Sequence, residues 1–247
     1  MTQTITACLI IIGNEILSGR TQDKNLTHLA ARLNDRGIQL REVRVIPDVE
    51  GTIVATVNEC RTKFNYIFTT GGIGPTHDDI TTASVAKAFG VAVHRHPDAE
   101  AALRASYTAA DPINEARLKM ADVPVGATLI PCTATAAPGF TIGNVYVMAG
   151  VPRIMQSMLE TILPQLRQGQ SLASLSISTD LPEGAIATLL ADIQSRHPDV
   201  EIGSYPHYSD AGYRTSLVCR SIDTARNDAV LSEISIMIAS LGGEVIQ

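Results

Sequence analysis

Short apolar runs alternate, over the first two-thirds of the chain, with segments whose apolar residues recur at helical spacing. Residues 7–12, 40–46 and 66–70 have the patterns of strands, and the first is apolar enough to be buried on both faces. Residues 26–33 place leucines at i, i+3 and i+7, along one face of a helix. This alternation predicts βαβ units and an α/β domain of three layers, α/β/α, with a mostly parallel sheet.

The last third of the chain has a different order of elements. A polar stretch of small residues at 168–174 precedes segments that predict strand, helix, strand, strand, helix and strand. That order is the ferredoxin-like βαββαβ arrangement, a small α+β module with many uses. We therefore predict two domains, residues 1–168 and residues 172–247.

Residue types at the helix ends predict several boundaries. Asn25 is placed to cap the helix that follows it, and Gly37 to end that helix. Thr81 is placed to cap the helix that follows the third predicted strand. Residues 97–120 are predicted to be helical.

Composition narrows the function classes. The 247 residues are 45% hydrophobic and 18% charged, as in a globular protein with a substantial core. The formal net charge is -6 and no Lys/Arg cluster occurs, so nucleic acid is not an expected partner. The longest apolar run, residues 7–12, is too short for a bilayer and follows no basic segment. We expect a cytoplasmic protein with no membrane partner.

The four cysteines are Cys8, Cys60, Cys132 and Cys219. None of them shares a C-x-x-C spacing, so the spacing supports neither a zinc site nor thioredoxin-type chemistry. We expect buried, reduced thiols.

The richest segment for chemistry is residues 70–81, which read TGGIGPTHDDIT and follow the third predicted strand. Ligands of open α/β sheets bind beyond the carboxyl ends of the strands. The glycines of residues 70–81 permit positive φ and let backbone N–H groups approach an anion closely. A helix N-terminus, which also favours anions, follows the segment. The predicted ligand-binding residues of this segment are Thr70, Gly71, Gly72, Gly74, Pro75, Thr76, His77 and Thr81.

This segment carries carboxylates in place of basic residues. It contains no Lys or Arg and fits neither the P-loop nor the dinucleotide-binding pattern. Asp78 and Asp79 would repel a phosphate unless a divalent cation lay between them, so the pair suggests Mg²⁺, Mn²⁺ or Co²⁺. The alternative is an ordinary turn into a helix, where acidic residues are stabilising by themselves.

Two further segments reach the same edge of the predicted sheet. Gly13, Asn14 and Glu15 follow the first strand. Gly13 and Asn14 are predicted to bind the ligand, Asn14 as a donor to phosphate or ribose, and Glu15 offers a metal-ligating carboxylate. Asp48 follows the second strand and is a candidate metal ligand or general base. Turn chemistry after Pro47 explains an aspartate there nearly as well.

Residues 13–17, 70–76 and 78–81 together resemble the molybdopterin-binding domain family. Within it they are closest to the N-terminal region of the CinA branch, and they are similar to the domain fused to some eukaryotic FAD synthases. Residues 137–140 and 150–152 match two later motifs of the family, which adds Gly150 and Pro152 to the ligand-binding set.

The resemblance implies a function and a set of site residues. It implies that molybdopterin or a nucleotide diphosphate binds at the glycine-rich segment. In the CinA branch it implies metal-dependent hydrolysis of a pyrophosphate such as that of ADP-ribose or FAD. Asp79, Asp48 and Glu15 match acidic positions of the family and are the expected catalytic residues, with Asp78, Asp79 and Glu15 as metal ligands.

Two other functions are compatible with the same residues. A non-catalytic module that holds molybdopterin or a nucleotide would use the same segment. An activity like that of the molybdopterin adenylyltransferases of molybdenum cofactor biosynthesis would need ATP as well. The resemblance also implies a homo-oligomer, either a dimer or a trimer.

The sequence departs from the CinA pattern in three respects. CinA proteins usually continue into an amidase domain, which we do not expect here. The family's Leu-Pro-Gly-Val-Pro is Met-Ala-Gly-Val-Pro at residues 148–152, and the positions near Cys132 and Thr135 are altered. These positions lie in the part of the site that would select the substrate.

Overall fold

The structure is a computed structural model that describes residues 4–209 and 212–246. The chain divides into two compact units between Gly169 and Gln170. The strands of the first unit are β1 (Ile5–Ile12), β2 (Ile38–Ile46), β3 (Tyr66–Thr70), β4 (Val93–Arg95), β5 (Asp122–Pro124), β6 (Thr128–Ile130), β7 (Gly139–Ile142) and β8 (Val145–Met148). Its α-helices are α1 (Asn14–Leu17), α2 (Asn25–Asp35), α3 (Glu50–Lys63), α4 (Thr81–Phe89), α5 (Pro97–Ser106), α6 (Glu115–Leu118) and α7 (Pro152–Ile162).

The first unit is built on a six-stranded sheet in the order β2-β1-β3-β8-β7-β6. β2, β1, β3 and β8 are parallel, whereas β7 and β6 run antiparallel to their neighbours. Apolar residues of α2 and α7 pack on one face of the sheet, and those of α3 and α4 pack on the other. The predicted three-layer, mostly parallel α/β fold is confirmed.

A bulge interrupts the pairing of β1 with β2. Ala7 pairs with Leu40 but Cys8 pairs with Glu42, so Arg41 is an extra residue in β2. Because successive side chains of a strand alternate between faces, the extra residue changes the face of every later side chain. Leu40 packs in the core beneath α2 and α7, whereas Glu42 lies on the α3 face beside Cys8.

The second unit carries helices against an antiparallel sheet. Its elements are β9 (Ala173–Thr179), α8 (Glu183–Arg196), β10 (Glu201–Ser209), β11 (Gly212–Ser221), α9 (Thr224–Ser240) and β12 (Val245–Ile246). The strand order β10-β11-β9-β12 is antiparallel throughout and gives the predicted βαββαβ arrangement. Ile186, Leu217 and Val230 are among the residues of its separate core.

Three predicted helix boundaries are wrong. Asn25 is the first residue of α2 and is buried, while the Asp23 carboxylate accepts from the Leu26 N–H. Thr81 is the first residue of α4 rather than its cap. Residues 97–120 are not one helix, because α5 ends at Ser106 and irregular chain containing Pro112 precedes α6.

Within the described ranges, each helix is too short or too polar to cross a membrane.

Candidate functional site

A cleft of about 520 Å³ lies beyond the carboxyl ends of β1, β3 and β8. That is the edge at which open α/β sheets bind ligands, and the volume suits a small molecule. Eight of the predicted site residues line it: Glu15, Gly71, Gly72, Gly74, Pro75, Asp79, Gly150 and Pro152. Apolar side chains complete the wall, among them Met120, Ile154 and Met158.

The glycine-rich segment turns sharply against the end of β1. Gly71 has φ 102°, and a Cβ there would lie 2.1 Å from the carbonyl oxygen of Ile12. Gly72 has φ 68°, and its Cβ would lie 2.1 Å from the Thr81 hydroxyl oxygen. Both positions therefore require glycine for conformation and for space.

A second glycine contact joins this segment to the chain after β8. A Cβ on Gly150 would lie 3.2 Å from the Gly71 Cα. The Asn25 amide, which is buried, donates to the Gly150 carbonyl oxygen at 2.8 Å. The turn after β8 is therefore held from both sides, and it supplies one wall of the cleft.

Thr81 supports the turn from behind, and Thr70 is buried at the end of β3, which corrects their predicted contact with ligand. Thr81 is fully buried, and its hydroxyl donates to the Gly71 carbonyl oxygen at 3.0 Å. Thr70 is 1% exposed. Neither lines the cleft.

Replacing Thr81 by valine is expected to destabilise the protein by about 1–3 kcal/mol. Valine has nearly the same shape, but the Gly71 carbonyl would lose its donor in a buried place. Chemical denaturation measures the change. Thr82→Val, at the neighbouring position outside this contact, is the control, and equal stability of the two variants would contradict the supporting role of Thr81.

Asp79 lines the cleft and also holds the turn together. Its Oδ2 accepts from the Thr76 N–H at 2.8 Å and from the Thr76 hydroxyl. The carboxylate lies against Gly74, where a Cβ would approach Oδ2 to 2.6 Å. Thr76, predicted to contact ligand, instead uses its polar groups within the turn and does not line the cleft.

Glu15 enters the cleft from α1, which is anchored to the end of β2. The Asp48 carboxylate accepts from the Asn14 N–H at 2.8 Å, and the Gly13 N–H donates to the Ile46 carbonyl oxygen. Gly13, Asn14 and Asp48 do not line the cleft, contrary to their predicted roles. They position α1, and Glu15 is the residue of this group that faces the ligand space.

His77 and Asp78 project into solvent. Their side chains are 98% and 67% exposed, and neither lines the cleft. Among residues 4–209 and 212–246, the one group of three ligating side chains within 4.8 Å of one another lies elsewhere. The predicted metal set of Glu15, Asp78 and Asp79 is therefore not assembled, because Asp78 faces outwards while Thr76 holds Asp79.

Lys119 belongs to the site although no motif of the sequence includes it. It follows α6, and its ammonium group donates to the carbonyl oxygens of Thr76 at 2.7 Å and Asp79 at 2.8 Å. These partners lie 43 and 40 residues away along the chain. The turn that carries Asp79 is thus held by a cation from outside the motif.

Two protein families match the chain, one over each of its two units. Residues 8–168 match the family described as "Probable molybdopterin binding domain". The chain belongs to the molybdopterin-binding domain family. Residues 171–241 match the family "FAD synthase, middle domain", so the second unit resembles that domain rather than an amidase.

Individual relatives match most of the chain. A protein of Pyrobaculum calidifontis is 35% identical over 211 residues, which cover 81% of this chain and 80% of that protein. The "Probable FAD synthase" of Caenorhabditis elegans is 30% identical over 264 residues, 97% of this chain and 51% of its own. The chain therefore spans about half the length of that relative.

Among solved structures, the following one is similar in sequence as well as in fold. It is the protein CinA, of unknown function, from Thermoplasma acidophilum. The identity is 31%, the TM-score is 0.61, and the match covers 66% of this chain and 99% of that one. The CinA-like resemblance predicted from the motifs is confirmed.

Proposed function

We propose that the cleft binds a nucleotide diphosphate and hydrolyses its pyrophosphate bond with the help of a divalent cation. The observation that carries the proposal is that Glu15, Asp79 and the glycine-rich turn share one cleft. Of the described residues that line it, none is Lys or Arg. A phosphate-binding turn next to two carboxylates needs a cation between them.

The donor set fits a hard ion. Glu15 and Asp79 offer carboxylate oxygens, which Mg²⁺, Mn²⁺ and Co²⁺ accept together with water and phosphate oxygens. When bound, such an ion would neutralise phosphoryl charge and make a bound water more acidic. Asp79 stabilises the turn through Thr76 and also faces the cleft. Asp48 does not face the cleft and contributes indirectly, by positioning α1.

The apolar part of the cleft suits the ring of the ligand. Met120, Ile154 and Met158 lie along the same cleft as the turn. Such side chains bind flat aromatic groups by excluding water, while a few polar groups fix the orientation. This division of the cleft suits an adenine, flavin or pterin ring joined to phosphates.

The test is the release of AMP from defined substrates. Purified protein is incubated with ADP-ribose, FAD or NADH in the presence of Mg²⁺, Mn²⁺ or Co²⁺. Metal-dependent AMP release would support the proposal. AMP release that is unchanged by a chelator would argue against the role of the ion.

The second candidate is a module that binds molybdopterin or a nucleotide without chemistry. It is favoured by the outward position of Asp78 and by the engagement of Asp79 with Thr76, which leave few free metal-ligating oxygens. Tight pterin binding with no AMP release would select it. Transfer of adenylate from ATP to the pterin would instead select the adenylyltransferase activity.

Replacing Lys119 by methionine is expected to lower kcat/KM for the best substrate about tenfold. Methionine keeps much of the chain length but removes both hydrogen bonds to the Thr76 and Asp79 carbonyls, so the turn loses its fixed position. Steady-state AMP release measures the effect. Lys87→Met is the matched control, since Lys87 pairs with Glu50 away from the cleft. Equal activity of the two variants would contradict the positioning role.

A further inference from the structure

Two cysteines and a glutamate converge beneath α3, outside the cleft. Cys8 of β1, Glu42 of β2 and Cys60 of α3 place their ligating atoms within 4.8 Å of one another. The two Sγ atoms are 3.7 Å apart. Both thiols are fully buried, whereas the Glu42 side chain is 34% exposed and lies on the solvent side of the group.

The bulge in β2 creates this group. Without the extra residue Arg41, Glu42 would follow the alternation of Leu40 and lie on the opposite face of the sheet. The bulge brings its carboxylate to the face that carries Cys8 and packs on α3. Bulges are a known means of redirecting a side chain towards a site.

We propose that Cys8, Cys60 and Glu42 bind a thiophilic divalent cation, with zinc the best fit. A tetrahedral zinc site with Zn–S bonds of about 2.3 Å places two sulfurs about 3.8 Å apart. The observed separation of 3.7 Å therefore needs almost no rearrangement. A water can take the fourth position on the exposed side of Glu42.

Charge balance favours the ion. Binding displaces one proton from each thiol, so two thiolates offset the two positive charges of the metal. The remaining charge of Glu42 is offset by Arg44, whose Nε donates to that carboxylate. Arg44 is fixed in turn by Glu59, at 2.6 and 2.8 Å. Hydrogen-bonded partners of this kind orient metal ligands.

The thiols are protonated before the ion arrives. The ordinary pKa of a thiol is about 8.5, and the thiolate is the form that binds a metal. Metal binding at neutral pH should therefore release two protons per ion.

The site is independent of the proposed function. None of Cys8, Glu42 and Cys60 lines the cleft, and the chemistry of sulfur differs from that of the cleft carboxylates. The ion would tie β1, β2 and α3 together and stabilise the fold.

Cobalt(II) titration of the full chain tests the proposal. The protein is stripped with a chelator and kept reduced, and Co²⁺ is added while absorption is followed. We expect a sulfur-to-cobalt charge-transfer band that saturates at one ion per chain, is displaced by Zn²⁺ and accompanies the release of two protons. Co²⁺ bound only by carboxylates of the cleft gives no such band, so the two sites are distinguished.

Variants assign the ligands. Cys60→Ser is expected to abolish the band, and Glu42→Gln to weaken Co²⁺ binding at least tenfold. Cys219→Ser is the matched control, since Cys219 is a buried thiol of the second unit, and Asp79→Asn is a control for the cleft. Both controls should keep the band unchanged. Because Glu42 is partly exposed, its variant still tests the site if Cys60→Ser fails to fold.

Three results would overturn the proposal. The first is the absence of the band in the reduced wild-type protein at excess Co²⁺. The second is a band that persists in Cys60→Ser, or affinity that is unchanged in Glu42→Gln. The third is a count of two free thiols, rather than four, in unreduced protein denatured without metal, if it is traced to a Cys8–Cys60 disulfide.

Discussion

Replacing Asp79 by asparagine is expected to lower kcat/KM for AMP release about 100- to 1,000-fold while leaving the fold intact. The asparagine amide would keep an oxygen that accepts from the Thr76 N–H, so the turn should hold its shape. What the variant loses is the negative charge that faces the cleft and would hold the cation. Steady-state AMP release and the thermal midpoint are the two measurements.

Asp78→Asn is the matched control. Asp78 is the adjacent carboxylate, but its side chain is 67% exposed and does not line the cleft. Its activity should stay within about twofold of the wild type, as surface changes of this kind have small effects. Full activity of Asp79→Asn, or an equal loss in both variants, would refute the assignment of Asp79.

Replacing Gly71 by alanine is expected to destabilise the first unit by about 3–4 kcal/mol, through backbone strain at φ 102° and overpacking. Its new Cβ would lie 2.1 Å from the Ile12 carbonyl oxygen, and β1 cannot move away because the core holds it on both faces. The thermal midpoint should fall by roughly 10 °C.

Gly19→Ala separates strain from crowding. Gly19 also has a positive φ, 72°, but a Cβ there would meet nothing within 4 Å. Its cost should be about 1–2 kcal/mol, the usual penalty of the left-handed region. If Gly71→Ala were no less stable than Gly19→Ala, the close contact of the turn with β1 would be disproved.

Local sequence patterns predict best those elements that are buried along their whole length. β3 was predicted over residues 66–70 and lies at Tyr66–Thr70, because a strand buried between neighbours carries a strong apolar signal. Helix ends were harder. The Thr81 hydroxyl can cap its own helix or donate across the turn, and the position of the Gly71 carbonyl decides between them.

The sequence predicts the residues of the candidate cleft as far as they lie close together along the chain. The glycines at 71, 72 and 74 and the carboxylate of Asp79 lie within one short segment. The sequence predicts Asp48 as a metal ligand or general base, but in the fold its carboxylate accepts from the Asn14 N–H, a partner 34 residues away. Lys119 carried no signal, since a lysine that binds two distant carbonyls looks like any surface lysine.

Spacing rules also miss ligands that the fold brings together. Cys8 and Cys60 are 52 residues apart and share no C-x-x-C pattern, yet their sulfurs are 3.7 Å apart. The bulge that adds Glu42 to them is a matter of strand register, which the sequence of β2 does not display.

The hydrogen bond of Asn25 with Gly150 means that the cleft forms only when early and late segments of the first unit have come together. These residues are 125 positions apart, and Gly150 packs on Gly71 as well. A nascent chain that has not yet passed residue 150 therefore has no cleft to fill. A ligand in the cleft would act as a non-covalent cross-link between early and late segments, worth about 2.7 kcal/mol against unfolding at a hundred times its Kd. Depletion of the ligand would therefore remove that stabilisation and favour opening between the early and late segments.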